Sequence, residues 1–143
     1  MNMPMPSLIT DNITELLVKI IEFTQTRQKF LIQNINNIHT PGFVPRDLTV
    51  NEFANSLNTA VDEHIRNQRL LLCDSENVKF GSGGSLELKA VTDKYAGKLL
   101  EANPDEYLEL QINKLLENSL NQKMAAELLK QKEKMTSAFE QLD

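Results

Sequence analysis

Apolar residues in the first third of the chain recur in steps of three and four: Ile13, Leu16, Leu17, Ile20, Ile21, Phe23, Phe30, Leu31, Ile35 and Ile38. That spacing follows the 3.6-residue turn of an α-helix and places them along one side of a single long element. It predicts a start at Asn12, whose side chain can cap the first turn while Glu15 reaches back in a capping-box arrangement. The end is expected near His39 or Thr40, because the residue before Pro41 is pushed out of the helical region. About 27 residues at roughly 1.5 Å each make a rod of about 40 Å. Thr24, Arg27 and Gln28 interrupt the apolar stripe, so whatever packs there must accept polar groups.

The last third repeats the pattern with Leu108, Ile112, Leu115, Leu116, Leu120, Met124, Leu128, Leu129, Met135, Phe139 and Leu142. Its start is sharply marked. Asn103 can cap, Pro104 suits the first helical position, and Asp105 and Glu106 place negative charge at the positive end of the helix dipole. The pattern predicts a terminal helix of about 36 residues and about 55 Å. A compact chain of 143 residues has a radius of gyration of only about 14–15 Å, so such a helix does not fit inside a globule. The expected fold is therefore mainly all-α and elongated. Its long first and last helices form an antiparallel coiled-coil hairpin, with the middle region at one end. The seam is expected to use Leu16, Ile20, Leu31 and Ile38 against Ile112, Leu116, Leu120, Leu128 and Phe139. A two-helix rod buries one stripe per helix, leaving further apolar surface for partners.

Between these helices, Val44-Pro45-Arg46-Asp47 reads as extended. Thr49 and Glu52 offer a second capping box. Phe53, Leu57, Ala60, Val61 and Ile65 then predict a short amphipathic helix to about Gln68. Val78 and Phe80, the glycine-rich run 81–84, and Leu86 and Leu88 fit a small β-hairpin; a mobile linker is the alternative. The glycines match neither GxxxxGK[ST] nor GxGxxG, so they do not read as a phosphate cradle. Three regions follow: 1–41, the first helix and the turn after it; 42–102, the middle region; and 103–143, the last helix.

Composition narrows the function classes. A net charge of −5 with scattered Lys and Arg argues against nucleic-acid binding, which needs clustered cations. No apolar run approaches the roughly 18 residues needed to cross a bilayer, and the first residues lack the pattern of a cleavable signal peptide. Cys73, the single cysteine, cannot form an internal disulfide. His39 and His64 belong to no HExxH, and there is no CxxC and no nucleophile elbow. One cysteine and two distant histidines make no zinc set. The expectation is a non-enzymatic protein without metal or cofactor. Asn12-Ile13-Thr14 matches a glycosylation sequon, but helix capping is the simpler role for Asn12.

The segment NINNIHTPGF, residues 34–43, ends the first helix. Thr40-Pro41-Gly42-Phe43 suits a type II turn, with proline setting the first central torsion and glycine the positive second one. Asn34 and Asn37 are three apart and share a helix face, where their amides can bond a neighbouring element. Replacing Asn34 with Leu is accordingly expected to stabilise the hairpin while harming partner contacts.

The run from Arg27 to Phe43 resembles the N-terminal signature of bacterial flagellar rod and hook proteins. That signature carries an arginine, an Asn-Ile-Ala-Asn core, then Thr-Pro-Gly and an aromatic residue. Here Asn34-Ile35-Asn36-Asn37-Ile38 supplies the asparagines, with Asn36 where alanine is usual. Val44-Pro45-Arg46-Asp47-Leu48 is similar to the Lys-Ala-Arg-Asp-hydrophobic segment of the most proximal rod subunit, with Pro45 in place of a small residue. The resemblance covers residues 10 to about 50 clearly and 103–142 loosely. It implies a structural subunit of the flagellar basal body, exported uncleaved through the flagellar type III apparatus to the periplasmic rod and needed for motility. Its partners would be other rod and basal-body subunits and the export apparatus, with membrane contact only through the assembly. The isolated subunit would be a monomer. The implied assembly motif is Arg27, Asn34, Asn37, Thr40, Pro41, Gly42, Phe43, Arg46 and Asp47. The alternative is a cytoplasmic helical-hairpin chaperone or adaptor that holds a flagellar or secretion client.

Overall fold

A computed structural model describes residues 5–81 and 85–142, with side chains from residue 12 onward. Among these residues the chain order is α1 (Met5–Asn36), β1 (Arg46–Asp47), α2 (Val50–Asn67), β2 (Val78–Phe80), β3 (Leu86–Leu88), β4 (Val91–Thr92), α3 (Lys94–Ala102) and α4 (Pro104–Glu140). The protein is mainly all-α, and its two longest helices run antiparallel. Asn34 of α1 meets Gln111 near the start of α4, and Thr24 meets Asn118 about two to three turns further along.

α1 is longer at its start and shorter at its end than the periodicity predicts. It begins at Met5 rather than Asn12. Pro6 falls in the first turn, where its missing N–H has no partner to lose. Asn12 is thus inside the helix, and its amide donates to the Gln68 carbonyl at 3.1 Å and lies 3.3 Å from His64 Nδ1. It ties α1 to the far end of α2 instead of capping. At the other end the helix stops at Asn36. Asn37 Nδ2 donates to the Gln33 carbonyl at 2.8 Å, while the next amides form tighter bonds from Ile38 to Ile35 and from Thr40 to Asn37. Asparagine side chains that compete for backbone groups end helices in this way.

α4 starts as its sequence dictates: the Asn103 side chain accepts from the Glu106 N–H and Pro104 opens the first turn. The Thr49 capping box does not form. The Thr49 hydroxyl makes no capping bond, and the Glu52 carboxylate is taken by Asn77, accepting from its backbone N–H at 3.0 Å and its Nδ2 at 2.7 Å. That pair pins α2 to the start of β2.

β2 and β3 form the expected antiparallel hairpin, with Val78 opposite Leu88 and Phe80 opposite Leu86; residues 82–84 of its loop lie outside the described residues. Two elements were not legible in the sequence. β1 pairs with β4, Arg46 opposite Thr92 and Asp47 opposite Val91, and the nine-residue α3 follows, capped by Asp93 accepting from the Ala96 N–H at 3.0 Å.

The middle region builds a small core against α1. Phe23, Leu48, Phe53 and Val78 are its buried centre, with Ile20, Phe30 and Leu57 packed around them. Phe23 and Phe53 stack with centroids 4.1 Å apart and planes 5° from parallel. Burial of aromatic surface of this size holds α2 across α1.

Candidate functional site: a buried polar lock and an exposed apolar stripe

The short strand β1 explains why Arg46 and Asp47 sit side by side. Successive residues of a strand face opposite ways, so Arg46 points outward over the Phe30 ring, 5.2 Å from its centroid, while Asp47 points in. Inside, Asp47 receives Arg27 as a two-pronged fork, Nε to Oδ1 at 2.9 Å and Nη2 to Oδ2 at 3.0 Å. The Leu48 N–H adds a bond to Oδ1 at 2.7 Å, and Lys114 of α4 reaches Oδ2 at 3.1 Å. Lys114 also bonds Asp93 Oδ2 at 2.6 Å, the carboxylate that caps α3. Burial pushes the Asp47 carboxyl up, but the Arg27 fork and Lys114 outweigh it and hold the group below its ordinary value. One carboxylate thereby joins α1, β1 and α4, and Lys114 extends the tie to α3.

Asn34 occupies the free edge of β1. Its Nδ2 donates to the Arg46 carbonyl at 2.9 Å and its Oδ1 accepts from the Arg46 N–H at 3.2 Å, so the side-chain amide stands in for a neighbouring strand. Nδ2 also donates to Gln111 Oε1 at 3.0 Å. Tyr107 donates its hydroxyl to the Asn34 carbonyl at 2.8 Å, and Asn118 Nδ2 donates to the Thr24 carbonyl at 2.7 Å. The Tyr107 hydroxyl is pushed up to about 12 by desolvation and by the Asp93 charge. These bonds close in one register only, since sliding α4 by a turn would leave Asn34, Gln111 and Asn118 buried without partners. The polar residues that interrupt the α1 stripe are satisfied here: Arg27 by Asp47, and Thr24 by hydroxyl bonds to the Ile20 and Ile21 carbonyls.

Of the nine residues in the expected assembly motif, Arg27, Asn34 and Asp47 converge in this lock, with the Arg46 backbone between them. The expectation for Asn34→Leu is reversed, because Asn34 is buried and bonds both backbone groups of Arg46. Asn37 does not share its site. It turns to the surface, bonding Gln33 and accepting from the Thr40 hydroxyl at 3.0 Å. Thr40, Pro41, Gly42 and Phe43 form a turn in which the Phe43 N–H donates to the Thr40 carbonyl at 3.2 Å and Gly42 adopts φ +75°. A positive φ at the third position is the type II requirement, and the turn aims the chain back along α1 to place Arg46 beside Asn34.

The seam between the long helices is not the one expected from the leucines. On α1, Leu16 and Leu31 are buried, Ile20 packs on the small core and Ile38 is half-buried. On α4, Ile112, Leu116, Leu120, Leu128 and Phe139 face outward, with Leu116, Leu120 and Phe139 keeping 59%, 65% and 57% of their surface exposed. The buried row is instead Tyr107, Gln111, Asn118 and Ala125. α4 is rotated this way because Asn34, Asp47 and the Thr24 carbonyl each need a polar partner, which Gln111, Lys114 and Asn118 of this face supply. Between α1, α2 and α4 a groove of about 260 Å³ opens, lined by apolar side chains including Leu17, Ile20, Phe53, Leu57, Met124 and Leu128.

Tyr107, Gln111, Lys114 and Asn118 were missed by sequence reasoning. Their signal was present as steps of four, three and four, a helical period carried by polar residues, and it was overlooked because the leucine row beside it is more conspicuous. Among the described residues no group of three or more His, Cys, Asp or Glu could hold a metal ion, and no helix is long and apolar enough to cross a membrane. No family model matches the chain, and neither a curated protein nor a solved structure does.

Proposed function

We propose that the chain is a non-enzymatic structural subunit of a bacterial flagellar basal body, in the position of the most proximal rod subunit. In this reading it leaves the cell through the flagellar type III apparatus and assembles by packing its long helices against neighbouring subunits in the periplasmic rod. The observation that carries the reading is the outward-facing apolar stripe of α4. Fully burying a Leu, Ile or Phe side chain is worth about 1.5–3 kcal/mol. Five such residues, each about half exposed, forgo on the order of 5 kcal/mol, a large part of the total stability of an ordinary domain. A helix shaped only for the stability of its own chain would turn that row inward. A polar seam inside and an apolar row outside suit a subunit whose final contacts are made with others, as in heterologous contacts that propagate along a filament.

The lock fits the same reading, because it sets the angle and register at which the stripe is presented. The test is whether purified basal bodies contain the chain between the membrane ring and the distal rod, and whether deleting its gene abolishes swimming. In the same background Pro41→Ala, which removes the fixed torsion of the turn, is expected to lower motility. Basal bodies that assemble normally without the chain, together with a stable soluble complex holding one client, would favour the cytoplasmic chaperone.

A further inference from the structure

The groove between α1, α2 and α4 has a direction. Along α1 it runs from Leu17 to Arg27, about 15 Å of helix. Because α4 is antiparallel, its Leu128 lies at the Leu17 end and its Asn118 at the Arg27 end. α2 also runs opposite to α1, since Phe53 stacks on Phe23 and Gln68 meets Asn12, so Leu57 belongs with Leu17. One end is therefore aliphatic and the other polar.

The polar end carries two bonding atoms that the fold leaves over. Arg27 and Asn118 are only 6% and 1% exposed. Arg27 directs Nε and Nη2 to Asp47, and Asn118 directs Nδ2 to the Thr24 carbonyl, one helical turn from Arg27. The guanidinium Nη1, a donor, and the Asn118 Oδ1, an acceptor, have no partner among the described residues. Only Thr49 Oγ1 and Gln111 Nε2 of those residues are shut away without a bond. Nη1 and Oδ1 thus keep an opening, and the groove is the one that both side chains line.

Size and charge then restrict what fits. An apolar cavity of about 150 Å³ takes the six carbons of benzene, and in that proportion the groove of about 260 Å³ takes about ten. Spread along the groove they form one extended chain. The head group is uncharged: Asp47 already matches the Arg27 charge, so a carboxylate would add a second negative charge there and set its oxygens against Asn118 Oδ1. An ammonium would face the guanidinium. A hydroxyl satisfies both atoms, because its oxygen accepts from Nη1 while its O–H donates to Oδ1.

We infer that the groove is a binding site for a neutral, unbranched medium-chain alcohol, its hydroxyl between Arg27 and Asn118 and its chain running to Leu17 and Leu128. An apolar pocket with a few convergent polar groups is the usual form of a small-molecule site. The site lies inside the three-helix junction and does not depend on the flagellar reading. Its ligand joins α2 to α4, so binding also stabilises the folded chain.

Titration of the full chain with 1-decanol, followed by methyl NMR, tests this. The expected result is saturable one-to-one binding, with nuclear Overhauser contacts from the alcohol to the Leu17 and Leu128 methyls and a Tm that rises with alcohol concentration. Decanoate and decyl methyl ether are expected to bind at least tenfold more weakly, the first for its charge and the second because it accepts but cannot donate. Ala54→Phe, which places a ring in the groove from its α2 wall, is expected to abolish binding, with circular dichroism verifying its fold. Should that variant not fold, the Overhauser contacts in the unaltered chain locate the ligand by themselves. No saturation up to the solubility limit, decanoate binding as tightly as decanol, or binding retained in folded Ala54→Phe would each overturn the inference. So would contacts spread over the exposed Leu116 and Leu120 instead of the groove.

Discussion

Replacing Asp47 with Asn keeps the size of the side chain and removes its charge. The Asp47 carboxylate receives Arg27 Nε and Nη2, Lys114 Nζ and the Leu48 N–H, and both Arg27 and Asp47 are less than a tenth exposed. An uncharged amide has one acceptor oxygen and turns its own N–H groups toward some of these donors. Arg27 becomes a buried cation without a counter-charge, a change that costs about 3–5 kcal/mol in other proteins. Lys114 is less affected, because it keeps Asp93 at 2.6 Å. For a chain of this size the unfolding entropy near Tm is on the order of 300 cal/mol/K, so the loss corresponds to about 10–17 °C in Tm. Thermal and urea unfolding followed by circular dichroism measures it. The double variant Arg27→Met/Asp47→Leu is expected to recover much of the loss, since replacing both members of a buried pair by apolar groups is often neutral. A fall of less than about 3 °C for Asp47→Asn, or a double variant worse than either single one, would refute the view that Arg27 and Asp47 are an obligatory buried pair.

Asn34→Leu is expected to destabilise by about 2–4 kcal/mol, because it strips the Arg46 N–H and carbonyl and the Gln111 amide of a shared partner; a rise in urea midpoint would contradict the bonding described. Gly42→Ala meets no steric obstacle, since a Cβ there has nothing within 4 Å, but must hold φ +75°. A cost of about 1 kcal/mol is expected, visible as a small fall in Tm, and a stabilised variant would show that the turn relaxes freely. Acid should unfold the protein through two carboxylates. The Asn77 side chain first, with further hydrogen bonds, lowers Glu52 to about 2, and Arg27 and Lys114 keep Asp47 low against its burial. A depressed folded pKa gives stability that is fully present above the ordinary carboxylate value of about 4 and is lost as pH falls through the folded one. Tm is therefore expected to drop between about pH 4.5 and 2, and the drop should be shallower in Glu52→Gln; an unchanged pH profile in that variant would sink the assignment.

The sequence by itself determined the long elements. A period near 3.6 in the apolar residues, an Asn103-Pro104 start and a Thr-Pro-Gly stop specify local structure, and local rules suffice to place two long helices, α2 and the β2–β3 hairpin. It also marked Arg27 as a break in the apolar stripe of the first helix, and the resemblance singled out Asn34 and Asp47. Only the tertiary structure decided which face of α4 packs on α1. That choice depends on what stands opposite: once Arg27, Asn34 and Asp47 are buried, the partner helix must offer Tyr107, Gln111, Lys114 and Asn118, and the leucines are turned outward as a consequence. The small clasp of β1 and β4 was hidden for the same reason. Two-residue strands have no periodicity to read, and they exist here because Asn34 completes one edge of β1 and β4 the other. Hydrophobic burial alone would have turned the leucine face of α4 inward. Hydrogen bonds are directional, and they settled the choice.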